Sequence, residues 1–199
     1  MNTIFDRLRF FGSELVLGTL IALLSIITAV SAYQSSMADS DQTKNNVLGM
    51  QTLTDANAEY LTANQDIIQD YTNFDTYYLN TETNPDVAEY FKSGFSEALV
   101  ASMERPGGPF DAPYYEAMYA GPNEMFAKAD EYFNLAEQYN EYGDGLQLVM
   151  LITALGLALT AWGSLLKDDS KIRVLFGIFG LAMLIYGIIR YIGTPGVTG

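Results

Sequence analysis

The stretch TAVSAYQSSMADSD, residues 28–41, decides how this chain is read. An apolar run ends inside it at Val30-Ser31-Ala32, a pattern of small residues like a signal-peptidase site. The chain then enters polar sequence without a Gly or a Pro. Either a leader is cut off here, or one helix leaves a membrane and continues. Length favours the second reading. Residues 14–33, ELVLGTLIALLSIITAVSAY, carry one charge at their entry and none after it. As a helix they span about 30 Å, the thickness of a hydrocarbon core, whereas a leader's apolar segment is shorter. The segment therefore reads as an uncleaved signal-anchor. Nothing from Ser13 to Asn84 is a Pro, and only Gly18 and Gly49 interrupt helix-forming sequence. The expectation is one helix that passes out of the membrane and keeps going.

Two more apolar runs close the chain. Leu146–Leu166 carries no charge, and Ile172–Ile192 carries only Arg173 and Arg190, near its ends, where long side chains can reach headgroups. Trp162 and Tyr191 fall where amphipathic rings favour an interface. KDDSK, 167–171, leaves room only for a tight turn, so the two runs form an antiparallel hairpin. Arg7 and Arg9 precede the first run, and Lys167, Lys171 and Arg173 lie at the hairpin turn. Three spans put both places on one side of the membrane, and basic residues favour the cytoplasm. The resulting plan is a cytoplasmic N-terminus (1–13), a first span (14–33), an extracytoplasmic domain (34–145), a second span (146–166), a cytoplasmic turn (167–171), a third span (172–192) and an extracytoplasmic tail (193–199). The membrane is of the bacterial inner, or plasma, type. The fold class is all-α: an integral membrane protein with three transmembrane helices and a coiled-coil-like helical ectodomain.

The middle is acidic. Between Gln34 and Gly145 there are 20 acids against four cations, a net of −16. Such a surface repels nucleic acid and anionic headgroups, so nucleic acid is not an expected partner. The chain has no Cys and no His, which removes disulfides, thiolate nucleophiles and the usual general base near neutral pH. No nucleotide-binding, metal-ligating or serine-hydrolase motif is present, and DSDQTKNN at 39–46 lacks the Gly of a calcium loop. No catalytic residue, metal or cofactor is expected.

Within the middle, Leu53, Asn57, Tyr60, Asn64, Ile67, Tyr71, Phe74 and Tyr78 alternate in steps of four and three. That 3.5-residue repeat keeps one helix face on a partner, and the two Asn would fix register. Asn84 and Pro85 then start a helix expected to run to about Met103, and ERPGGPFDAP breaks it. A further helix begins near Pro113, restarts at AGP (120–122) and carries a second seam, Met125, Ala129, Tyr132, Ala136 and Tyr139. It returns to the membrane at Gly143 and Gly145, read as a hinge. The outgoing arm, about 70 Å from Gln34 to Asn80, exceeds the returning one, about 36 Å from Pro122 to Gly145. Its upper part must therefore bend at Gly49, pack on the 86–103 helix or pack on another subunit. The many Tyr suit helix interfaces; PYYEAMY, 113–119, is the place for a ring-stacking site if one exists. In the spans, Gly18, Ala22, Ser25, Ala29 and Ala32 form one small-residue stripe and Gly156, Thr160 and Ser164 another, while Gly177, Gly180 and Gly187 interrupt the third span. Such stripes let helices approach closely, within one subunit or between subunits. No span has a charge in its middle, which weighs against a transporter.

This layout, ELVLGTLIALLSIITAVSAYQSS leading into a Gln/Asn-rich helix and closed by LVMLITALGLALTAW and IFGLAMLIYGI, is similar to uncharacterised bacterial three-span membrane proteins. The resemblance implies the architecture and carries over no activity or site. The expected function is a non-enzymatic membrane-anchored assembly or accessory protein whose partners are the lipid bilayer and copies of itself or other membrane subunits. The alternatives are a homo-oligomeric channel with an acidic vestibule and an extracytoplasmic ligand-sensing module.

Overall fold

The computed structural model describes residues 8–198; the expectations placed on residues 1–7, Arg7 among them, and on Gly199 lie outside it. The described residues form helices and no strand. A 3-10 turn, Arg9–Gly12, precedes α1 (Glu14–Asn80), α2 (Pro85–Lys92), α3 (Glu97–Met103), α4 (Ala112–Met118), α5 (Ala120–Ser164) and α6 (Lys171–Ile192). Three of them, α1, α5 and α6, are long and apolar enough to cross a membrane. The chain divides into two compact units. One, here the apolar unit, holds the chain up to Asn45 and from Asn134 onward; the other, the acidic unit, is Asn46–Phe133. Helices α1 and α5 contribute to both.

Each of the first two apolar runs is continuous with the polar helix beside it. α1 is unbroken for 67 residues, through 28–41 and through Gly49. α5 is likewise unbroken through Gly143 and Gly145, so these glycines do not end a helix. Their use is close approach. A Cβ on Gly143 would come within 3.1 Å of the Asp39 carboxylate and 3.6 Å of the Ala38 methyl. An interior helix Gly costs about 1 kcal/mol against Ala, and the tight packing it permits offsets that cost.

In the apolar unit Leu20 and Leu24 of α1 meet Leu184 of α6, with Ile27, Leu157 and Leu181 around them. The hairpin of α5 and α6 interlocks through glycine. Gly180 receives the Thr160 side chain, and a Cβ on Gly187 would approach the Thr153 methyl to 2.6 Å. Thr153 and Thr160 return their hydroxyls to the carbonyls of Val149 and Gly156, as a hydroxyl in an apolar surrounding must. Thr28 of α1 donates to Thr153 at 2.8 Å, which ties the third helix in. At one end, Arg173 is buried rather than extended into solvent. Its Nε donates to the Gly12 carbonyl at 2.6 Å, its Nη1 donates to the Leu166 carbonyl at 2.7 Å, and Asp168 lies 2.5 Å from Nη1. The guanidinium thus satisfies the end of α5 and fixes the 3-10 turn, whose Phe11 carbonyl lies over Gly177. At the other end Tyr191 donates to Gln34 at 2.9 Å, and the tail is tied down by Thr198 donating to Gln138.

In the acidic unit, α1 and α5 run antiparallel. Gly49 faces Phe133, whose ring would lie 2.7 Å from a Cβ at that position, and Tyr60 meets Phe126 and Tyr119. The upper part of α1 packs on the segment 94–118 through a core of Ile67, Leu99 and Tyr114. The single helix expected from Pro85 to Met103 is two helices, broken at 93–96. The break has a cause in α1, given next.

Candidate functional site

Two polar side chains of α1, one turn apart, organise the acidic unit. Asp70 is 2% exposed and Asn73 is 9% exposed. The Asp70 carboxylate accepts from the Ser96 backbone N–H at 2.9 Å, from the Ser96 hydroxyl, and from the Tyr114 hydroxyl at 2.9 Å. Asn73 donates to the Gly94 carbonyl at 2.9 Å. Ser96 also accepts from Leu99 N–H and so caps α3. A continuous helix over 85–103 would bury the Ser96 and Gly94 backbone groups in its own ladder. Asp70 and Asn73 bind them instead, and the helix stops. Asn84 stands before Pro85 as expected, but its side chain makes no capping bond.

The loop from Glu104 to Asp111 is closed by a fork. Arg105 Nε and Nη2 each donate to one Asp111 carboxylate oxygen at 2.6 Å. That pair holds the Asp111 carboxyl below the usual carboxylate range, and Asp111 in turn caps α4. Phe110 adopts φ of +64°, a left-handed backbone costing roughly 1–2 kcal/mol for a residue with a Cβ. Its ring lies 4.5 Å from Tyr71, 5.1 Å from Tyr114 and 5.5 Å from Phe74, and these contacts hold the conformation. In PYYEAMY, Tyr114 is fully buried, Tyr115 shares a hydroxyl–hydroxyl bond with Tyr71, and Tyr119 stacks on Tyr60 while donating to Asn64 at 2.8 Å. The rings are spent on one another. Burial and the Asp70 bond push the Tyr114 hydroxyl well up. The Tyr115 bond raises Tyr71 to about 12, and burial raises Tyr119.

The first expected seam meets the interior only in part. Ile67 is buried, and Asn64 and Phe74 are half-buried. Leu53, Asn57, Tyr60, Tyr71 and Tyr78 are exposed. The buried line runs mostly one residue earlier, through Gly49, Ala56, Ala63 and Asp70 in steps of seven. The expected seam sets bulky residues against the partner, whereas α1 turns small ones inward and lets rings such as Phe133 enter. Of the second seam, Ala129 and Ala136 are buried and Met125, Tyr132 and Tyr139 are half-buried. The same offset occurs in the apolar unit. Gly18, Ala22 and Ala29 are exposed, Ser25 and Ala32 are half-buried, and the interior takes Leu17, Leu24 and Ser31. Gly156 and Thr160 are buried and Ser164 is exposed. The seven-residue recurrence of small residues on α1 was the signal available for the buried line. Asp70 and Asn73 carried no comparable signal, since their partners are groups distant in sequence.

Two surfaces of the acidic unit remain. One is a groove of about 570 Å³ bordered by Asp66, Asp70, Ser96, Glu97, Phe95 and Met118. The other is the outer face of α1. Large apolar side chains exposed to solvent include Val47, Met50, Leu61 and Ile68 on α1 and Val87, Tyr90 and Val100 on α2 and α3; among the described residues, 101–133 contribute none. Comparison of the chain with known protein families, characterised proteins and solved structures finds no match.

Proposed function

We propose that this chain is a non-enzymatic, membrane-anchored assembly or accessory protein, with α1, α5 and α6 crossing a bacterial-type plasma membrane and the acidic unit outside the cytoplasm. The observation that supports it is the exposure of large apolar side chains along α1 in the acidic unit. Met50, Leu61 and Ile68 are each more than 60% exposed, while 101–133 keep their large apolar side chains in. Covering such a side chain is worth about 1.5–3 kcal/mol, so the face gains from a protein partner. The membrane orientation rests on the placement in sequence of Arg7, Arg9, Lys167, Lys171 and Arg173. The test is the mass of the particle extracted in mild detergent. A particle of several subunits is expected, against 22.0 kDa for one chain. A single chain carrying only lipid would refute the reading.

The groove beside Asp70 favours ligand sensing as a second reading. Thermal unfolding of the full chain against a panel of small amines and amino acids tests it; a rise in midpoint with one of them is the expected result, and no rise with any rejects it.

A further inference from the structure

Resting on that assembly reading, we propose that the outer face of α1 from Val47 to Ile68 receives a second copy of the same chain, packed in parallel as a two-stranded coiled coil. Val47, Met50, Thr54, Asn57, Leu61, Asn64 and Ile68 follow one another in steps of three and four. That is the repeat that keeps a line of side chains on a partner helix. It lies outside the buried line of Gly49, Ala56, Ala63 and Asp70, so α1 presents two such lines; its own chain fills the first and reaches the second at the half-buried Asn64. Val47 is 49% exposed, Met50 64%, and Leu61 and Ile68 62% each; Thr54 and Asn57 are also exposed.

Charge selects the partner's contact face. The region from Gln34 to Gly145 has a net charge of −16, so two copies repel over most of their surfaces. The line from Val47 to Ile68 contains no charged residue, and the acids of that stretch, Asp55, Glu59 and Asp66, fall off it. This is where two copies can touch without bringing carboxylates together. A shared bilayer selects direction. Both copies enter through the same helix with the same polarity, so α1 lies parallel to its twin. A parallel two-fold pairing sets each residue against itself. Asn57 suits that position, because a carboxamide both donates and accepts; its Nδ2 already donates to the Leu53 carbonyl at 2.8 Å. The line carries Thr54, Asn57 and Asn64 among its apolar residues, and an Asn at such a position fixes register at a cost in stability. Asn64 is engaged with Tyr119 and the Tyr60 carbonyl, so Asn57 is the register residue.

The absence of cysteine makes the test direct. Single cysteines are placed at Asn57, Leu61 or Ile68 on the face, and at Glu59 or Glu131 off it, in the full-length protein in its own membrane. Oxidation is followed by non-reducing electrophoresis. A disulfide needs Cα atoms within about 7 Å, so N57C, L61C and I68C are expected to give roughly tenfold more linked dimer than E59C and E131C. A second arm, L61E with I68E, is expected to halve the particle mass without loss of helicity. Equal linking at all five positions, or none at any, overturns the proposal. Linkage of N57C to a different polypeptide overturns the second copy while leaving the assembly reading intact. A single-chain particle overturns both.

Discussion

Asp70 is the residue on which the acidic unit turns. One carboxylate holds the residue that caps one short helix and a buried tyrosine from the next. Replacing it by Ala leaves the Tyr114 hydroxyl buried without this partner and removes the acceptor of the half-buried Ser96 N–H and hydroxyl. Asp70→Ala is therefore expected to lower stability by about 3 kcal/mol. Urea unfolding of the detergent-solubilised chain, followed by near-ultraviolet circular dichroism of tyrosine, measures this; a loss under about 1 kcal/mol would show that the network is not structural. The tyrosines also set an alkaline limit. Tyr71, Tyr114 and Tyr119 all have hydroxyls raised in the fold. Stability from a raised group is complete below its unfolded value, about 10, and is lost as pH climbs toward the folded one. The acidic unit should thus weaken between about pH 10 and 12. Tyr114→Phe should be less stable at pH 8 yet lose less over that interval. A drop equal to that of the unmodified chain would contradict the assignment.

At the scale of the element, α1 is long because it holds no Pro, its Thr and Asn side chains bond back to carbonyls one turn earlier, and both of its halves have a partner. Gly49 was the one place where sequence suggested a bend, and there the helix is continuous. The missing Cβ makes room for Phe133, so the glycine is a packing residue. Gly49→Ala would push into that ring and should cost about 1–3 kcal/mol, although Ala is the better helix former. Adding Phe133→Leu should recover much of the loss. A stabilising effect of Gly49→Ala alone would return the glycine to the role of a flexible joint. α2 and α3 illustrate the opposite case. Their residues could form one helix, and hydrogen bonds from α1 make them two.

For the whole molecule, the proposed placement puts the acidic unit outside the cytoplasm and the turn at 165–170 inside. Protease added to intact spheroplasts should digest the acidic unit and leave that turn; the reverse pattern would invert the topology. A raised external salt concentration should ease assembly, since the copies are alike in charge and salt screens their repulsion beyond about 10 Å at 0.1 M and over shorter distances at higher salt. Cross-linking at Asn57 compared at low and high salt measures this, and an unchanged yield would show that repulsion does not oppose the pairing.

Residues 28–41 and the runs around them determined on their own that the chain is helical and holds three apolar helices, because length, hydropathy and the absence of Pro are local properties. Helix direction followed from connectivity. What the sequence could not determine was which line of α1 faces inward. Lines one residue apart on a helix carry the same 3.5-residue period, and period alone does not choose between bulky Tyr and small Ala as the inner set. The partner helix chose, by offering rings such as Phe133 that need space. The breaks at 93–96, the burial of Arg173 and the knot at Asp70 are likewise tertiary, because each joins a side chain to backbone groups whose need for a partner becomes visible only once the chain is folded.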